Sequence, residues 1–172
     1  MKSKKIMPDG LKIYKTEIDI TKSSRVELNA LMNLRLASAL DLQSQLKQAH
    51  WNVKGQNFIG LHELFDTIAG VVEGYVDMIA ERIAQLGGVA QGTVRVSAAQ
   101  SRLDEYPLDI AEGMSHVGAV STALASFGAE ARSTISEAED LDDAVTADLF
   151  TEVSRGIDKW LWFVEAHAQN SK

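Results

Sequence analysis

The chain has 172 residues, 45% of them hydrophobic, a net charge of −7 and no cysteine. That length and apolar content suit one domain with a real core, and the missing cysteines exclude a disulfide framework and a thiolate metal site. No run approaches the roughly 20 apolar residues a bilayer requires, and the basic N-terminus lacks the apolar stretch of a signal peptide, so a cytoplasmic location is expected. A chain without thiols also suits a protein that meets oxidants.

Charge is unevenly spread. Residues 1–22 hold six lysines (Lys2, Lys4, Lys5, Lys12, Lys15, Lys22) against three acids, a balance of +3, while the other 150 residues carry 11 basic and 21 acidic groups, a balance of −10. The pattern is a basic arm on an acidic body. Pro8-Asp9-Gly10 is a turn signal and no helical period is sustained before residue 23, so residues 1–22 read as a mobile arm and residues 23–172 as the folded domain.

Ser23 or Ser24 can cap a first helix, in which Leu28, Leu31, Leu34, Ser38, Leu42, Leu46 and Ala49 recur at steps of three and four. It should end near Trp51, before a turn at Lys54-Gly55-Gln56-Asn57. A second helix is predicted from about Phe58 to Leu86, its core stripe being Leu61, Phe65, Ile68, Val72, Val76, Ile79 and Ile83. Gly87-Gly88 stops it. A connection of about 20 residues is long for neighbouring antiparallel helices and predicts a crossover, with a short helix over Ser97 to Leu103. Pro107 suits the first turn of a third helix, with Met114, Val117, Leu124, Phe127 and Ile135 inward. Asp140 or Asp142 can cap a fourth, where Leu149, Val153, Ile157, Trp160 and Val164 repeat. Four long helices with one long BC crossover define an all-α, ferritin-like four-helix bundle.

The second helix carries another stripe. At about 100° per residue, His62, Asp66, Gly70, Glu73, Asp77 and Glu81 share about a third of its circumference, with Gly74, Ala80 and Ala84 nearby. Small residues let another helix approach, and the acids there require compensation. A tight hairpin brings His50 beside His62 and Asp66. Asp77 cannot join them within one chain, because 15 helical residues separate it from His62, roughly 22 Å at 1.5 Å each. Two copies crossing antiparallel near Gly70–Gly74 would resolve this, giving two identical sites of two imidazoles and three carboxylates. That donor set suits ferrous iron or manganese and could admit zinc. The alternative is an ordinary polar interface. His62-Glu63-Leu64-Phe65-Asp66 is not the zinc-protease pattern, and no Glu-x-x-His pair occurs for a di-iron site inside the bundle.

The run Gln48-Ala49-His50-Trp51-Asn52-Val53-Lys54-Gly55, then Asn57-Phe58 and Leu61-His62-Glu63, resembles the signature of the Dps family, the mini-ferritins of starved bacteria. Asp77-Met78-Ile79-Ala80-Glu81-Arg82, Gln85-Leu86-Gly87-Gly88, Tyr106-Pro107-Leu108-Asp109-Ile110 and Asp158-Lys159-Trp160-Leu161-Trp162-Phe163 are similar to its later blocks. The resemblance spans roughly residues 25–166. It implies a hollow homododecamer that oxidises iron(II) at twofold interfaces, preferentially with hydrogen peroxide, and stores iron(III) inside as oxide. It implies His50, Asp77 and Glu81 as direct iron ligands, and His62 and Asp66 as a second, weaker or water-mediated set.

Trp51, next to His50, reads either as an electron donor that traps stray oxidising equivalents or as plain interface packing. Asp143 and Asp148, in an acid-rich stretch, read either as a negative funnel at a threefold pore or as helix capping and N-terminal charge. Lys2, Lys4, Lys5, Lys12 and Lys15 resemble arms that bind double-stranded DNA without reading sequence, which would make the particle nucleoid-associated. Their alternative is a solubilising tail, or an arm folded onto the acidic shell. His116 and His167 read as structural or surface residues. Two other functions compete: a mini-ferritin without a DNA role, and a structural nucleoid protein with an idle metal site.

Overall fold

The computed structural model describes residues 12–169, and Lys2, Lys4 and Lys5 lie outside the described residues. Among the described residues five helices follow one another: α1 (Lys22–Asn52), α2 (Phe58–Gln85), α3 (Val94–Gln100), α4 (Gly113–Glu139) and α5 (Ala144–Glu165). The long helices α1 and α2 form one hairpin and α4 and α5 the other, with α1 against α4 and α2 against α5. The crossover carrying α3 lies on α1. This is the expected ferritin-like bundle, and among the described residues no helix is long and apolar enough to cross a membrane.

The core stripe of α1 is Leu28, Met32, Leu36, Ala39, Leu42, Leu46 and Ala49. Leu31 and Leu34, expected inward, are only partly buried. Met32 and Leu36 take the inward places, because an unbranched thioether fills a core gap as well as leucine does. The α2 stripe is as expected except near its middle. There Tyr75 is buried and Val76 only partly so. Gly156 of α5 makes the room, since a Cβ there would overlap the Tyr75 hydroxyl.

The helix starts differ from the sequence reading, each for a local reason. Thr21, not Ser23 or Ser24, caps α1 by accepting from the Ser24 amide at 3.2 Å. Helix α3 begins three residues early, after Thr93, and Ser97 anchors it by donating to the Ala37 carbonyl at 2.9 Å. Pro107 does not begin a helix. The crossover there is held in irregular form: Gln45 donates to the Asp104 carbonyl at 2.9 Å, and the Lys54 amide to the Ala111 carbonyl at 2.9 Å. Helix α4 starts only at Gly113, capped by Glu112, and a Cβ on Gly113 would come within 2.8 Å of Leu61.

The last part of the stretch read as an arm touches the folded body. The Tyr14 amide donates to the Gly87 carbonyl at 2.7 Å, and the Arg25 guanidinium donates to the Leu86, Tyr14 and Ile20 carbonyls. Ile18 and Ile20 pack against the core. Gly87 has φ +79, and a Cβ on it would meet the Tyr14 carbonyl oxygen at 2.5 Å. The glycine that ends α2 therefore also seats the segment before α1.

Candidate metal centre

The α1–α2 hairpin brings His50, in the last turn of α1, against His62, in the second turn of α2. Their rings stack with centroids 3.8 Å apart and planes 21° from parallel. His50 Nδ1 is 2.8 Å from the His62 carbonyl oxygen, and His62 Nδ1 is 2.8 Å from the His50 carbonyl oxygen. A carbonyl only accepts, so both Nδ1 atoms carry hydrogen. In the neutral rings both Nε2 lone pairs would then be left for a ligand, the arrangement in which a backbone carbonyl orients a metal-binding imidazole. Phe58, one turn before His62, flanks its ring at 5.1 Å.

Asp66 is the third member. Its Oδ1 lies 3.9 Å from His50 Nε2 and 2.5 Å from Lys47 Nζ. The Lys47 hydrogen bond holds the Asp66 carboxyl below the usual carboxylate range, slight burial opposes this, and the charges of His50, Lys47 and His62 add to the lowering. Lys47 was not singled out from the sequence. Its spacing held the signal, since it stands three residues before His50 and so on the same helical face.

Asp77 and Glu81 do not join this group. They are exposed, and among the described residues neither has a hydrogen-bond or ion-pair partner. No group of three His, Cys, Asp or Glu side chains suited to a metal ion occurs within one chain among the described residues. Between the two groups, Gly70 and Gly74 are exposed, and a Cβ on either would meet nothing within 4 Å. The helix face from Asp66 to Glu81 is open in the single subunit, with glycines where a second helix could lie closest.

Trp51 is 66% exposed beside His50, and Lys47 Nζ sits 5.8 Å from its ring centroid. Asp143 departs from the pore expectation. It is 2% exposed and caps α5, accepting from the Thr146 amide at 3.0 Å and from the Thr146 hydroxyl. Both its oxygens also accept from Arg82, at 2.8 and 3.0 Å. Burial alone would raise its carboxyl, but the Thr146 bonds and the Arg82 guanidinium outweigh that and hold it low. A carboxylate so committed inside one subunit cannot face a channel. Asp148, one turn into α5, is exposed. Of the arm lysines, Lys15 pairs with Glu17 at 2.9 Å and Lys12 lies over the Tyr14 ring.

His116 is neither on the surface nor free. It is 1% exposed and its Nδ1 is 2.6 Å from the Tyr106 hydroxyl. His167 is exposed and bonds the Phe163 carbonyl through Nδ1 at 2.9 Å.

Residues 29–172 match the Ferritin-like domain, which defines the class as a ferritin-like protein. The chain is 39% identical over 159 residues to the DNA protection during starvation protein of Agrobacterium fabrum, covering 92% of this chain and 98% of that one. It is 36% identical over 141 residues to the protein of that name from Mycolicibacterium smegmatis, covering 82% of this chain and 76% of the other. The solved structure of DpsA14 from Streptomyces coelicolor superposes with a TM-score of 0.89 at 35% identity, covering 94% of this chain and 95% of that one. The chain belongs to the Dps family of ferritin-like proteins.

Proposed function

We propose that the chain is a peroxide-dependent ferroxidase, with the reacting iron held between two copies: His50, His62 and Asp66 from one, Asp77 and Glu81 from the other. The observation that carries this reading is the reciprocal bonding of His50 and His62, which engages both Nδ1 atoms and leaves His50 Nε2 3.9 Å from Asp66. Neutral imidazole and carboxylate are the donors that hold iron(II) and also tolerate iron(III). Zinc or manganese could occupy the same donors.

Iron is the substrate. Two iron(II) ions each give one electron to hydrogen peroxide, its O–O bond breaks, and both oxygens leave at the level of water or hydroxide. Consuming both partners together leaves little chance for a one-electron reaction that would release hydroxyl radical. The protein's part is to hold both ions near each other, to orient the imidazoles through backbone carbonyls, and to keep Asp66 ionised through Lys47. The weaker position is the one that includes Asp66, since an ion there must compete with the Lys47 ammonium.

Iron(III) would then collect inside a hollow homododecamer, cations entering through a funnel to which Asp148 contributes. DNA protection adds a second role, in which lysines near the N-terminus bind phosphates non-specifically and place the particle on the nucleoid. The acidic body leaves the arm as the part attractive to DNA. Lys2, Lys4 and Lys5 are the better candidates, as Lys12 and Lys15 already have partners in the chain.

The test is complementation. Chains carrying His50→Ala and His62→Ala are mixed with chains carrying Asp77→Ala and Glu81→Ala, then unfolded and reassembled. Each variant alone is expected to be inactive. In a random mixture about a quarter of the sites regain all five ligands, because each mixed dimer restores one of its two sites. Stopped-flow iron oxidation by peroxide reads the result. No recovery in properly assembled particles would sink the split site.

A further inference from the structure

The partly buried Tyr106 and the buried His116 form a pair that the iron site does not use. Tyr106 comes from the crossover and His116 from the first turns of α4, and the 2.6 Å bond between hydroxyl and Nδ1 joins them. His116 Nε2 is buried and has no hydrogen-bond partner among the described residues. Burial, opposed by the charge of Glu112, keeps the imidazole more readily neutral than usual. A neutral ring accepting the phenol proton at Nδ1 has its own hydrogen on Nε2. Leaving that donor orphaned carries a desolvation cost, one a purely structural contact could avoid with an apolar side chain.

We propose that Tyr106 is an internal electron donor that removes one-electron oxidising equivalents reaching the protein, with His116 as its proton acceptor. When the phenol loses an electron, its O–H bond breaks and the proton crosses to His116 Nδ1, leaving a neutral tyrosyl radical beside an imidazolium. A hydroxyl radical, the one-electron product of peroxide and iron(II), takes up that electron and becomes hydroxide. Return of an electron from a small reductant brings the proton back to the phenolate oxygen. A cavity of about 360 Å³ bordered by Tyr106, Gln45, Ser115 and Thr122 gives such a reductant access.

The other two tyrosines lack this arrangement. Tyr14 lies beneath the Lys12 ammonium at 4.5 Å, which opposes loss of an electron. Tyr75 abuts Gly156, and among the described residues its hydroxyl has no hydrogen-bonded base. The position of the pair also matters. The first turn of α4 rests on Leu61, the neighbour of His62, and the Lys54 amide bonds the Ala111 carbonyl just before it.

The inference rests on the ferroxidase reading for its natural oxidant, so its tests include two that need no iron. In metal-free full-length protein, nitrogen NMR should find His116 with hydrogen on Nε2 and Nδ1 accepting; hydrogen on Nδ1 would overturn the proposal. With a ruthenium polypyridyl photo-oxidant, electron paramagnetic resonance should detect a tyrosyl radical. Tyr106→Phe should lose most of that signal, Tyr14→Phe and Tyr75→Phe should keep it, and ascorbate should hasten its decay. An undiminished signal in Tyr106→Phe overturns the proposal. If Tyr106→Phe does not fold, mass spectrometry of the native chain after photo-oxidation decides instead: oxidation concentrated on Tyr106 supports the relay, and oxidation that spares Tyr106 removes it. With iron(II) and peroxide, normal iron oxidation without a Tyr106 radical rejects this proposal alone. Absent iron oxidation with an intact photochemical radical rejects only the ferroxidase reading.

Discussion

At the start of α2, His62 is locked to His50 by two reciprocal 2.8 Å bonds, and Asp66 is held by Lys47. Near the end of the same helix, Asp77 and Glu81 stand exposed and without partners among the described residues. The first group is organised by its own chain before any ligand arrives. The second, carried at the same helical spacing by equally suitable side chains, would gain its surroundings only from another copy. One half of the proposed site is thus a property of the subunit, and the other a property of the assembly.

The largest expected effect breaks the assembled half alone. Asp77→Ala with Glu81→Ala should slow iron oxidation at least about a hundredfold, since losing even a residue that only orients a ligand costs about 10–100-fold. The His50–His62 pair should persist, seen as unchanged imidazole NMR signals. Retained fast oxidation would assign the chemistry to the histidine half by itself.

Gly74→Leu sharpens the same division. A side chain there meets open space in the subunit, so helix content should hold, with a gain of at most about 1 kcal/mol from helix propensity. Sedimentation should nevertheless show loss of the assembled particle. Assembly unchanged by Leu at this position would place the crossing elsewhere.

Asp143→Ala probes a carboxylate that the subunit needs for folding. It would leave the buried Arg82 guanidinium unpaired and α5 uncapped, and should cost about 3–5 kcal/mol in denaturant unfolding. Asp148→Asn, by contrast, should leave stability nearly unchanged and slow only iron uptake. Equal effects of the two substitutions would contradict the separation of cap from funnel.

Lys47→Met should strengthen metal binding at the Asp66 position severalfold, read by cobalt(II) titration, because an incoming ion would no longer compete with the ammonium for the carboxylate. It should also weaken acid resistance slightly. Asp66 has a folded value below 3.8, so its contribution to stability is present above 3.8 and fades as pH falls toward the folded value.

The smallest effect concerns His116, whose folded value lies below 6.5 because burial disfavours its charge. Above pH 6.5 the ring is neutral folded or unfolded. As pH falls below 6.5 the unfolded chain takes up the proton first, so stability declines toward the folded value. Glu112, one turn earlier, moderates this, and His116→Gln should flatten that part of the curve.

Much of the bundle could be read from spacing. The apolar stripe of α2, the glycine stop at Gly87-Gly88, the hairpin turn at residues 54–57 and the long crossover follow from periodicity and from residues with few conformational choices. So did the impossibility of uniting His62 with Asp77 in one chain, since helix rise alone separates them. Which serine, threonine or aspartate caps a helix was not decided there. Thr21 and Asp143 were chosen over near neighbours by contacts with Ser24, Thr146 and Arg82. Nor could spacing reveal that residues 14–20 are seated at Gly87 and Arg25, or that Pro107 lies in irregular chain held by Gln45, Lys54 and His116. Those outcomes depend on partners far away in sequence. The residue types of the proposed ligands, and their separation along α2, were therefore determined locally by the sequence. The reciprocal bonding of the two imidazoles, the pairing of Asp66 with Lys47 and the withdrawal of Asp143 from the surface were decided by tertiary packing, which alone determines what lies beside each polar atom.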